Sequence, residues 1–450
     1  MTSEHFDVVI IGGGISGTAL LFALSRYTNI ERICLIEKEP ELAVINSHGC
    51  NNSQTLHCGD IETNYTLEKA LEIKASANML VNYMLRQGGD QTLIHRYPKM
   101  VLAVGESECQ ALRDRHKLFA RHFPYMDLLD ANAIGRIEPM VVRGRKDEIV
   151  AIGTENEYTA VNFNLMAKSF VDAAQELPNK TIDIRLATAV QSIEPQQDGF
   201  RLDCSSGQIE ATSVVVCAGA HSLLFAQRMG YGLDYSCLPV AGSFYYTPQV
   251  LKGKVYTIQD DKLPFAAIHG DPDLLELGKT RFGPTALILP QLERYRLSSV
   301  PDFLRVFKPD LRVAQVFWDL FKDKDIRRYM GKNLLFEIPG IRRHIFLRDA
   351  RKIVPDLKLS DLSFAKRIGG IRPVMIDKPN RKLLLGEAKI NPGNGIIFNM
   401  TPSPGATSCL ANAIKDLQIV TDHGGHRVYQ DQLKNELITP QQPTKSTAQP

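Results

Sequence analysis

The stretch "FDVVIIGGGISGTALLFALSRYTNIERICLIEKEP" (residues 6–40) predicts a β-strand, a glycine turn, a helix and a second β-strand. Its first strand is a continuous β-branched run, which is typical of a strand buried on both faces of a sheet. Gly12, Gly14 and Gly17 follow in the G-x-G-x-x-G spacing. These glycines permit a sharp turn, the approach of a pyrophosphate to a helix N-terminus, and close packing of helix and strand. The stretch therefore predicts a dinucleotide-binding unit.

Glu37 stands at the end of the second predicted strand, where an acid accepts hydrogen bonds from an adenosine ribose. The order of strand, glycine turn, helix and terminal acid argues against a turn that serves packing alone. The acid also disfavours a 2′-phosphate, and hence NADP. NAD and FAD remain as candidate cofactors.

A second corner is predicted near the C-terminus by "GIIFNMTPSPGATSCLANAIKDL" (residues 395–417). This segment contains a short apolar strand, a turn of small residues at Gly405, Ala406 and Thr407, and an amphipathic helix. The N-terminus of such a helix suits a group that gains negative charge, such as the pyrimidine edge of a reduced flavin. A nicotinamide dehydrogenase does not require its C-terminus to return to the cofactor, so this corner favours FAD. A turn before a surface helix is the alternative interpretation.

A third segment also favours a flavin. "EATSVVVCAGAHS" (residues 210–222) predicts a buried strand that runs into a tight turn at Gly219. The preceding residues 183–211 alternate apolar and polar side chains between turns, which predicts a β-meander.

The composition excludes several classes of protein. A length of 450 residues is sufficient for two domains. A formal net charge of only +3, together with the lack of an RNA- or DNA-binding motif, argues against a nucleic-acid partner. The eight cysteines are scattered, form no C-x-x-C and show no metal-ligand spacing. We therefore expect no metal site and a reducing, cytoplasmic compartment.

Residues 8–25 carry no charge over a length that could cross a bilayer. No basic region precedes this stretch, Asp7 does precede it, and glycines interrupt its middle. We therefore expect neither a transmembrane helix nor a signal peptide here.

Six further segments carry a resemblance to a known family. They are "INSHGCNNSQTLHCGDIETNYT" (45–66), "MGYGLDYSCLPVAGSFY" (229–245), "LPFAAIHGDPD" (263–273), "GKTRFGPTAL" (278–287), "GGIRPVMID" (369–377) and "FNMTPSPGATSCL" (398–410). With these segments, the chain resembles the D-amino-acid-oxidase branch of the glutathione-reductase-like FAD enzymes. Within that branch it is most similar to the malate:quinone oxidoreductase family, in its shorter epsilonproteobacterial type. The resemblance covers most of residues 5–420.

The resemblance implies an α/β fold with a Rossmann-like FAD-binding domain of glutathione-reductase type, discontinuous, and an inserted α+β substrate domain with an antiparallel sheet. It implies FAD as cofactor and oxidation of (S)-malate to oxaloacetate by hydride transfer to flavin N5. Electrons would pass to a membrane quinone and feed the tricarboxylic acid cycle and the respiratory chain. It further implies peripheral association with membrane lipid at the cytoplasmic face of the bacterial inner membrane. Oxidation of another 2-hydroxy acid, L-2-hydroxyglutarate or L-lactate, is the alternative.

The resemblance also implies roles for individual residues. We expect His269 to be the base, with His57 as the competing candidate, and Arg281 and Arg372 to bind the substrate carboxylates. Arginine suits this role because its planar fork matches a carboxylate. The remaining flavin candidates are the loop residues Asn52, Ser53, Gln54 and Thr55, an adenine cap near Val190, and Gly219 at the end of a strand beneath the cofactor.

The predicted FAD-binding domain comprises residues 1–85, 140–235 and 365–425. Residues 86–139 and 236–364 form the predicted substrate domain, and 426–450 form a tail whose end we expect to be disordered. Within the substrate domain, residues 300–344 mix aromatic and basic side chains in predicted helices. Such a face suits an anionic lipid surface that admits quinone. A solvated helix with its Phe and Leu side chains in the core is the alternative.

Overall fold

The computed structural model describes residues 4–89, 92–259, 267–384, 386–402 and 404–440. In these parts of the chain, the helices are α1 (Ile15–Tyr27), α2 (Leu67–Arg86), α3 (Glu106–Phe119), α4 (Ala131–Ile137), α5 (Pro139–Val142), α6 (Phe163–Gln175), α7 (His221–Arg228), α8 (Val300–Phe307), α9 (Leu311–Lys322), α10 (Lys324–Leu335), α11 (Arg342–Ile353), α12 (Cys409–Gly424) and α13 (Gln430–Leu433). None of these helices is long and apolar enough to cross a membrane.

The strands of the same parts of the chain are β1 (Glu4–Ile11), β2 (Arg32–Ile36), β3 (Ile94–Arg96), β4 (Lys99–Val104), β5 (Asp127–Leu129), β6 (Ile149–Thr154), β7 (Tyr158–Val161), β8 (Thr181–Arg185), β9 (Val190–Gln196), β10 (Gly199–Cys204), β11 (Gly207–Val216), β12 (Tyr235–Ala241), β13 (Tyr245–Pro248), β14 (Lys254–Thr257), β15 (His269–Pro272), β16 (Lys279–Gly283), β17 (Leu287–Ile288), β18 (Ser363–Phe364), β19 (Ile371–Asp377), β20 (Lys382–Leu384), β21 (Ala388–Ile390) and β22 (Ile396–Met400).

The first sheet has the strand order β21-β22-β11-β1-β2-β8, and β9 and β10 extend from β11 as an antiparallel meander. Strand β1 is parallel to both β2 and β11, so Ile11 lies beside Ile36 and Val216. Strand β22 is also parallel to β11. The carboxyl ends of these strands therefore share one edge, where open α/β sheets bind their ligands. This arrangement brings residues near the two ends of the chain together.

Both faces of the first sheet are covered, as the continuous apolar run of β1 predicts. Val8 and Ile10 belong to a core with helices α1, α6 and α12 on one face. Val9 and Ile11 belong to a second core on the other face, together with the meander and helix α7. The predicted meander is confirmed as strands β9 to β11.

Two further sheets form the inserted region. One has the order β18-β13-β16-β15-β14-β4-β6-β5, and apart from the parallel pair β14 and β4 its neighbours are antiparallel. The other has the order β17-β12-β19-β20 and is antiparallel. The predicted architecture, an α/β fold with an inserted antiparallel-sheet region, is confirmed.

The predicted domain boundaries stay a prediction, and several strand pairs cross them. Strand β7 lies within the predicted FAD segment 140–235 but pairs with β3 of the predicted substrate segment 86–139. Strand β6 lies within the predicted FAD segment 140–235 but pairs with β4 and β5 of the inserted region. Strand β19 lies within the predicted segment 365–425 but pairs with β12.

Two other segments refine the sequence-based picture. In residues 285–297, which look strand-like, only Leu287–Ile288 forms a strand, because Pro290 has no N–H to donate to a longer ladder.

In the tail, Glu436 accepts two hydrogen bonds from Arg26 and one from the Tyr27 hydroxyl, so residues up to this point are anchored on α1. The expected disorder at the end of the tail concerns residues 441–450, which lie outside the described residues.

Candidate active site

An elongated cavity of about 420 Å³ lies along the carboxyl edge of the first sheet. Segments from the whole length of the chain meet around it. The lining residues lie within segments 11–16, 36–38, 43–47, 51–53, 188–190, 217–221, 370–373 and 401–402, among others.

The glycine corner at one side of the cavity leaves no room for side chains. Gly12 has a φ of +114°, and a Cβ added there would lie 2.4 Å from the carbonyl oxygen of Cys217. A Cβ added at Gly17 would lie 2.0 Å from the carbonyl oxygen of Gly12. Gly14 caps α1 without a side-chain hydrogen bond and lines the cavity. The corner thus presents bare backbone at a helix N-terminus, which is the setting that a pyrophosphate requires.

The adenosine candidates lie on the same cavity. Glu37 lines it, and its carboxylate accepts hydrogen bonds from the backbone N–H groups of Gly13 (2.7 Å) and Glu39 (2.9 Å). Each carboxylate oxygen can accept a further hydrogen bond, so ribose hydroxyls still find acceptors here. Val190 and Gly219 also line the cavity, and Gly219 has a φ of +59°.

The loop that follows β2 places three of its four predicted flavin residues on the cavity, namely Asn52, Ser53 and Thr55. Gln54 instead turns into the protein with a φ of +50°. Its side-chain amide donates to the carbonyl oxygen of Gly49 and accepts from the N–H of Leu274. Gln54 therefore fixes the loop to the inserted region rather than facing the cavity.

The C-terminal corner reaches the cavity through Thr401, Pro402, Pro404 and Ala406. Gly405 does not line the cavity, and a Cβ added there would lie 2.6 Å from the carbonyl oxygen of Thr401. Thr407 is buried, and its hydroxyl accepts the N–H of His57 at 3.1 Å. The corner therefore supports the loop that carries His57.

His57 lines the cavity and forms a close pair with a buried carboxylate. Its Nδ1 lies 2.6 Å from Oε1 of Glu62. Burial alone would raise the pKa of Glu62, but the hydrogen bond and charge of His57, with Lys99, hold this pKa below its usual value. Because a carboxylate only accepts hydrogen bonds, Nδ1 is the donor to Glu62, and in the neutral form of the ring Nε2 is the acceptor.

His269 lies behind the cavity, in the interior of the inserted sheet. Its ring stacks on Tyr256, its neighbour on β14, with a centroid distance of 4.3 Å and an interplanar angle of 4°. Its Nε2 has no hydrogen-bond partner among the described residues. Burial first, and then the charges of Lys254 and Arg281, lower the pKa of His269 well below its usual value. This histidine is therefore neutral near neutral pH.

The two predicted carboxylate-binding arginines differ in their surroundings. Arg281 is buried, donates to the carbonyl oxygen of Gly49 at 3.0 Å, and lies 3.3 Å from Oδ2 of Asp273 and 3.8 Å from Oδ2 of Asp271. Arg372 lines the cavity and forms no ion pair with a carboxylate of the described residues. Burial lowers its pKa, and the neighbouring groups that act on it are phenols rather than acids. Arg372 thus presents an uncompensated positive charge to the cavity.

Local backbone geometry explains why Arg372 reaches this place. Arg372 stands two residues after Gly370, the second glycine of a pair. A Cβ added at Gly370 would lie 2.5 Å from the carbonyl oxygen of Asn51. The N–H of Ile371 donates to Oδ1 of Asn46, which also lines the cavity. The start of β19 is therefore pressed against the loop that carries His57.

Of the four predicted catalytic residues, the structure brings His57 and Arg372 to the cavity and places His269 and Arg281 behind it. Glu62 and Tyr256 were not predicted, and the spacing of Glu62 five residues after His57 was the available signal. The described residues hold no group of His, Cys, Asp and Glu side chains that could bind a metal ion.

Comparison with known proteins agrees with this site. The model of the FAD dependent oxidoreductase family (DAO) matches residues 7–414. A glycerophosphate oxidase from Mycoplasma pneumoniae, solved with FAD bound, has the same fold, with a TM-score of 0.64 and 19% identity over 93% of this chain and 95% of that one. The chain belongs to this family of FAD-dependent oxidoreductases, and FAD is its cofactor.

Relatives with higher sequence identity narrow the class of FAD-dependent oxidoreductase to which the chain belongs. A probable malate:quinone oxidoreductase from Campylobacter jejuni is 49% identical over 97% of this chain and 100% of its own length. The malate:quinone oxidoreductase from Helicobacter pylori is 43% identical over 97% and 99%. Human mitochondrial L-2-hydroxyglutarate dehydrogenase is only 25% identical, over 91% and 87%. Within the FAD-dependent oxidoreductases, the chain belongs to the malate:quinone oxidoreductase family.

We expect Gly17→Ala to abolish stable FAD binding, because the new methyl group would meet the Gly12 carbonyl oxygen and force α1 away from the corner. Flavin absorbance per chain in the purified protein should fall below roughly a tenth of the wild-type value. The matched control is Gly331→Ala, which adds a methyl group with nothing within 4 Å and should keep full flavin content. Equal flavin content in Gly17→Ala and wild type would contradict the assigned corner.

Proposed function

We propose that this chain oxidises (S)-malate to oxaloacetate and delivers the electrons to a membrane quinone, which links the tricarboxylic acid cycle to the respiratory chain. The observation that carries the proposal is the pairing, on one cavity, of a histidine held by a buried carboxylate with an arginine that has no carboxylate partner among the described residues. The relatives that match the full chain carry the corresponding name.

Oxidation of a secondary alcohol removes a hydride from carbon and a proton from the hydroxyl group. FAD supplies the hydride acceptor and the onward route of the electrons to quinone. The protein must take the proton and orient the substrate. These two tasks are assigned to His57 and Arg372.

His57 is the proposed base. Nδ1 donates a hydrogen bond to Glu62, so in the neutral ring Nε2 is left as an acceptor for the hydroxyl proton of the substrate. When Nε2 takes that proton, the imidazolium ring lies 2.6 Å from the Glu62 carboxylate, which stabilises the new charge. Glu62 is thus a positioning residue that acts through His57. We infer from the burial of His269 behind the cavity that its role is to pack against Tyr256.

Arg372 is the proposed anchor for a substrate carboxylate. A guanidinium that is partly desolvated and faces no acid gains more from binding an anion than one that is already paired. Arg281 is already held by Asp271 and Asp273, so we assign to it the support of the loop at Gly49. This assignment differs from the expectation that both arginines touch the substrate.

We also propose that residues 300–344 rest on an anionic leaflet. This segment, called the helical face below, holds ten basic and six acidic residues, a net charge of +4 compared with +3 for the whole chain. Its exposed large apolar side chains are Leu304, Leu311, Trp318, Phe321, Leu334, Leu335, Ile338 and Ile341. Apolar side chains interspersed with Lys and Arg suit insertion at the interface of an anionic membrane.

The helical face also adjoins the catalytic cavity. Tyr329, on α10, is one of the phenols that act on the pKa of Arg372. A quinone held in the membrane would therefore approach the protein near the substrate site. All eight cysteines are free, which supports a reducing compartment and hence the cytoplasmic face of the membrane.

The substrate is tested by mixing the oxidised protein anaerobically with malate, L-2-hydroxyglutarate or L-lactate and following loss of flavin absorbance. We expect (S)-malate to reduce the flavin at least about a hundredfold faster than the other two acids, because specificity of this size requires only a few well-placed polar contacts. If L-2-hydroxyglutarate or L-lactate reduces the flavin faster than (S)-malate does, that acid is the substrate and the proposed one is wrong.

Arg372→Gln should raise the malate concentration for half-maximal flavin reduction by about a hundredfold, because it removes one partner of a desolvated ion pair. Arg312→Gln removes an exposed guanidinium on α9 that does not line the cavity, and it should change this concentration less than about twofold. If the two variants behave alike, Arg372 does not bind the substrate.

His57→Gln should slow flavin reduction by malate by about two to four decades, and His269→Gln by less than about tenfold. Glu62→Gln should also slow this step, because its amide group can donate to Nδ1 and leave Nε2 protonated. Glu62→Asp should recover part of the rate, with little change in the malate concentration for half-maximal reduction. A larger loss in His269→Gln than in His57→Gln would exchange the roles of the two histidines.

Membrane binding is tested by flotation with vesicles of phosphatidylglycerol and phosphatidylethanolamine. Reversal of Lys324, Arg327 and Arg328 to Glu should weaken binding by more than about tenfold, since each basic residue near an anionic surface contributes about 1 kcal/mol. The matched control reverses Arg113, Lys117 and Arg121 and should bind like wild type. If the two triple variants bind the vesicles equally, the helical face is not the membrane-binding surface.

A further inference from the structure

The adenosine half of the FAD cavity is closed by residues from the inserted region. Leu292, Glu293 and Asp302 line the cavity together with Lys38 and Val190 of the FAD-binding region. We call residues 292–302 the strap. The sequence motifs of a dinucleotide site include no such element, because they concern only the strand, the glycine turn and the terminal acid.

The strap is tied to the end of β2 by ion pairs. Arg296 donates from both terminal nitrogens to the Glu39 carboxylate, with Nη2 and Oε2 2.8 Å apart. Its Nη1 also lies 3.0 Å from Oε2 of Glu293. A further ion pair joins Lys38 to Glu293. The hydrogen bond from Arg296 lowers the pKa of Glu39, which is the sign expected of an attractive pair.

The strap is stiff between these contacts. The Ser299 hydroxyl accepts the N–H of Glu293 at 3.2 Å and donates to the carbonyl oxygen of Arg296 at 2.7 Å. These bonds close the turn that presents Arg296. On the opposite side, Nη2 of Arg294 donates to the Ser243 hydroxyl at 2.6 Å, at the end of β12. The strap is therefore bonded within itself and is attached to the inserted region through Arg294.

The inner face of the strap presents hydrogen-bond acceptors to the cavity. Glu293 and Asp302 each lie 3.8 Å from a ring nitrogen of His221, which also lines the cavity. Burial, followed by the charge of Lys38, lowers the pKa of His221 to about 4, so this ring is neutral near neutral pH. Carboxylates beside a neutral ring suit the ribose hydroxyls and the amino group of an adenosine, which are hydrogen-bond donors.

We propose that residues 292–302 are a cofactor-binding strap that closes over the adenosine half of FAD, and that the Arg296–Glu39 pair is its latch. FAD can leave only when the latch opens, so the pair controls the rate of FAD release. The proposed strap depends only on the FAD site. It does not depend on which substrate the enzyme oxidises.

The rate of FAD release is measured without substrate, from the rise in flavin fluorescence after the holoenzyme is diluted. Arg296→Gln and Glu39→Gln should each speed release by about fivefold, the size expected of a two-pronged, partly exposed ion pair. The double variant should release FAD no faster than the singles, because all three lack the same interaction. Raising the salt concentration should speed release from wild type and leave the variants nearly unchanged.

The matched control is Arg113→Gln, which breaks the surface pair of Arg113 and Glu148 away from the cavity and should release FAD at the wild-type rate. Glu39→Gln tests the latch from the FAD-binding side and keeps the proposal testable if Arg296→Gln does not fold. Release within twofold of wild type in Glu39→Gln, or a double variant whose effect is the product of the singles, would overturn the latch. These readouts do not involve malate, so failure of the proposed substrate leaves them unchanged.

Discussion

The close contact of Gly17 with the Gly12 carbonyl oxygen is the constraint on which the remainder of the site depends. It sets the distance of α1 from β1 and leaves bare backbone at the edge of the sheet. Strands β2 and β11 are parallel to β1, and β22 is parallel to β11, so the carboxyl ends of all four strands lie at the same edge of the sheet. The terminal acid, the Gly219 turn and the C-terminal corner therefore meet on one cavity, although they are far apart in sequence.

The backbone features of the site could be predicted from sequence, because glycine and proline report local conformation directly. The corner at residues 12–17 and the strand, turn and helix of residues 395–417 are examples. The partners of charged side chains could not be found in this way. Arg281 looked available, yet it lies opposite Asp271 in the β15–β16 hairpin, and only the register shows this. His269 was expected to be the base, but its strand is interior and its ring stacks on Tyr256.

Charge compensation separates two kinds of ionisable group in the inserted region. Buried groups such as Lys254, Asp271 and Arg281 compensate one another and hold the loop against the sheet. Arg372 stands outside this network and faces the cavity, and His57 also faces the cavity and pairs with Glu62. A charge that the fold leaves unpaired in a cavity is the one available to a ligand. The inserted eight-stranded sheet thus supplies a rigid support, while β19 of the four-stranded sheet and the loop after β2 supply the reactive side chains.

In this structure the two ends of the polypeptide meet at the cavity that we assign to one molecule of FAD. The most direct measurement is to denature the purified wild-type protein with acid, identify the released cofactor by mass and fluorescence, and divide its amount by that of the chain. We expect one FAD per chain, released without covalent attachment. Release of NAD, or a chain that holds no FAD even after incubation with it, would contradict the account.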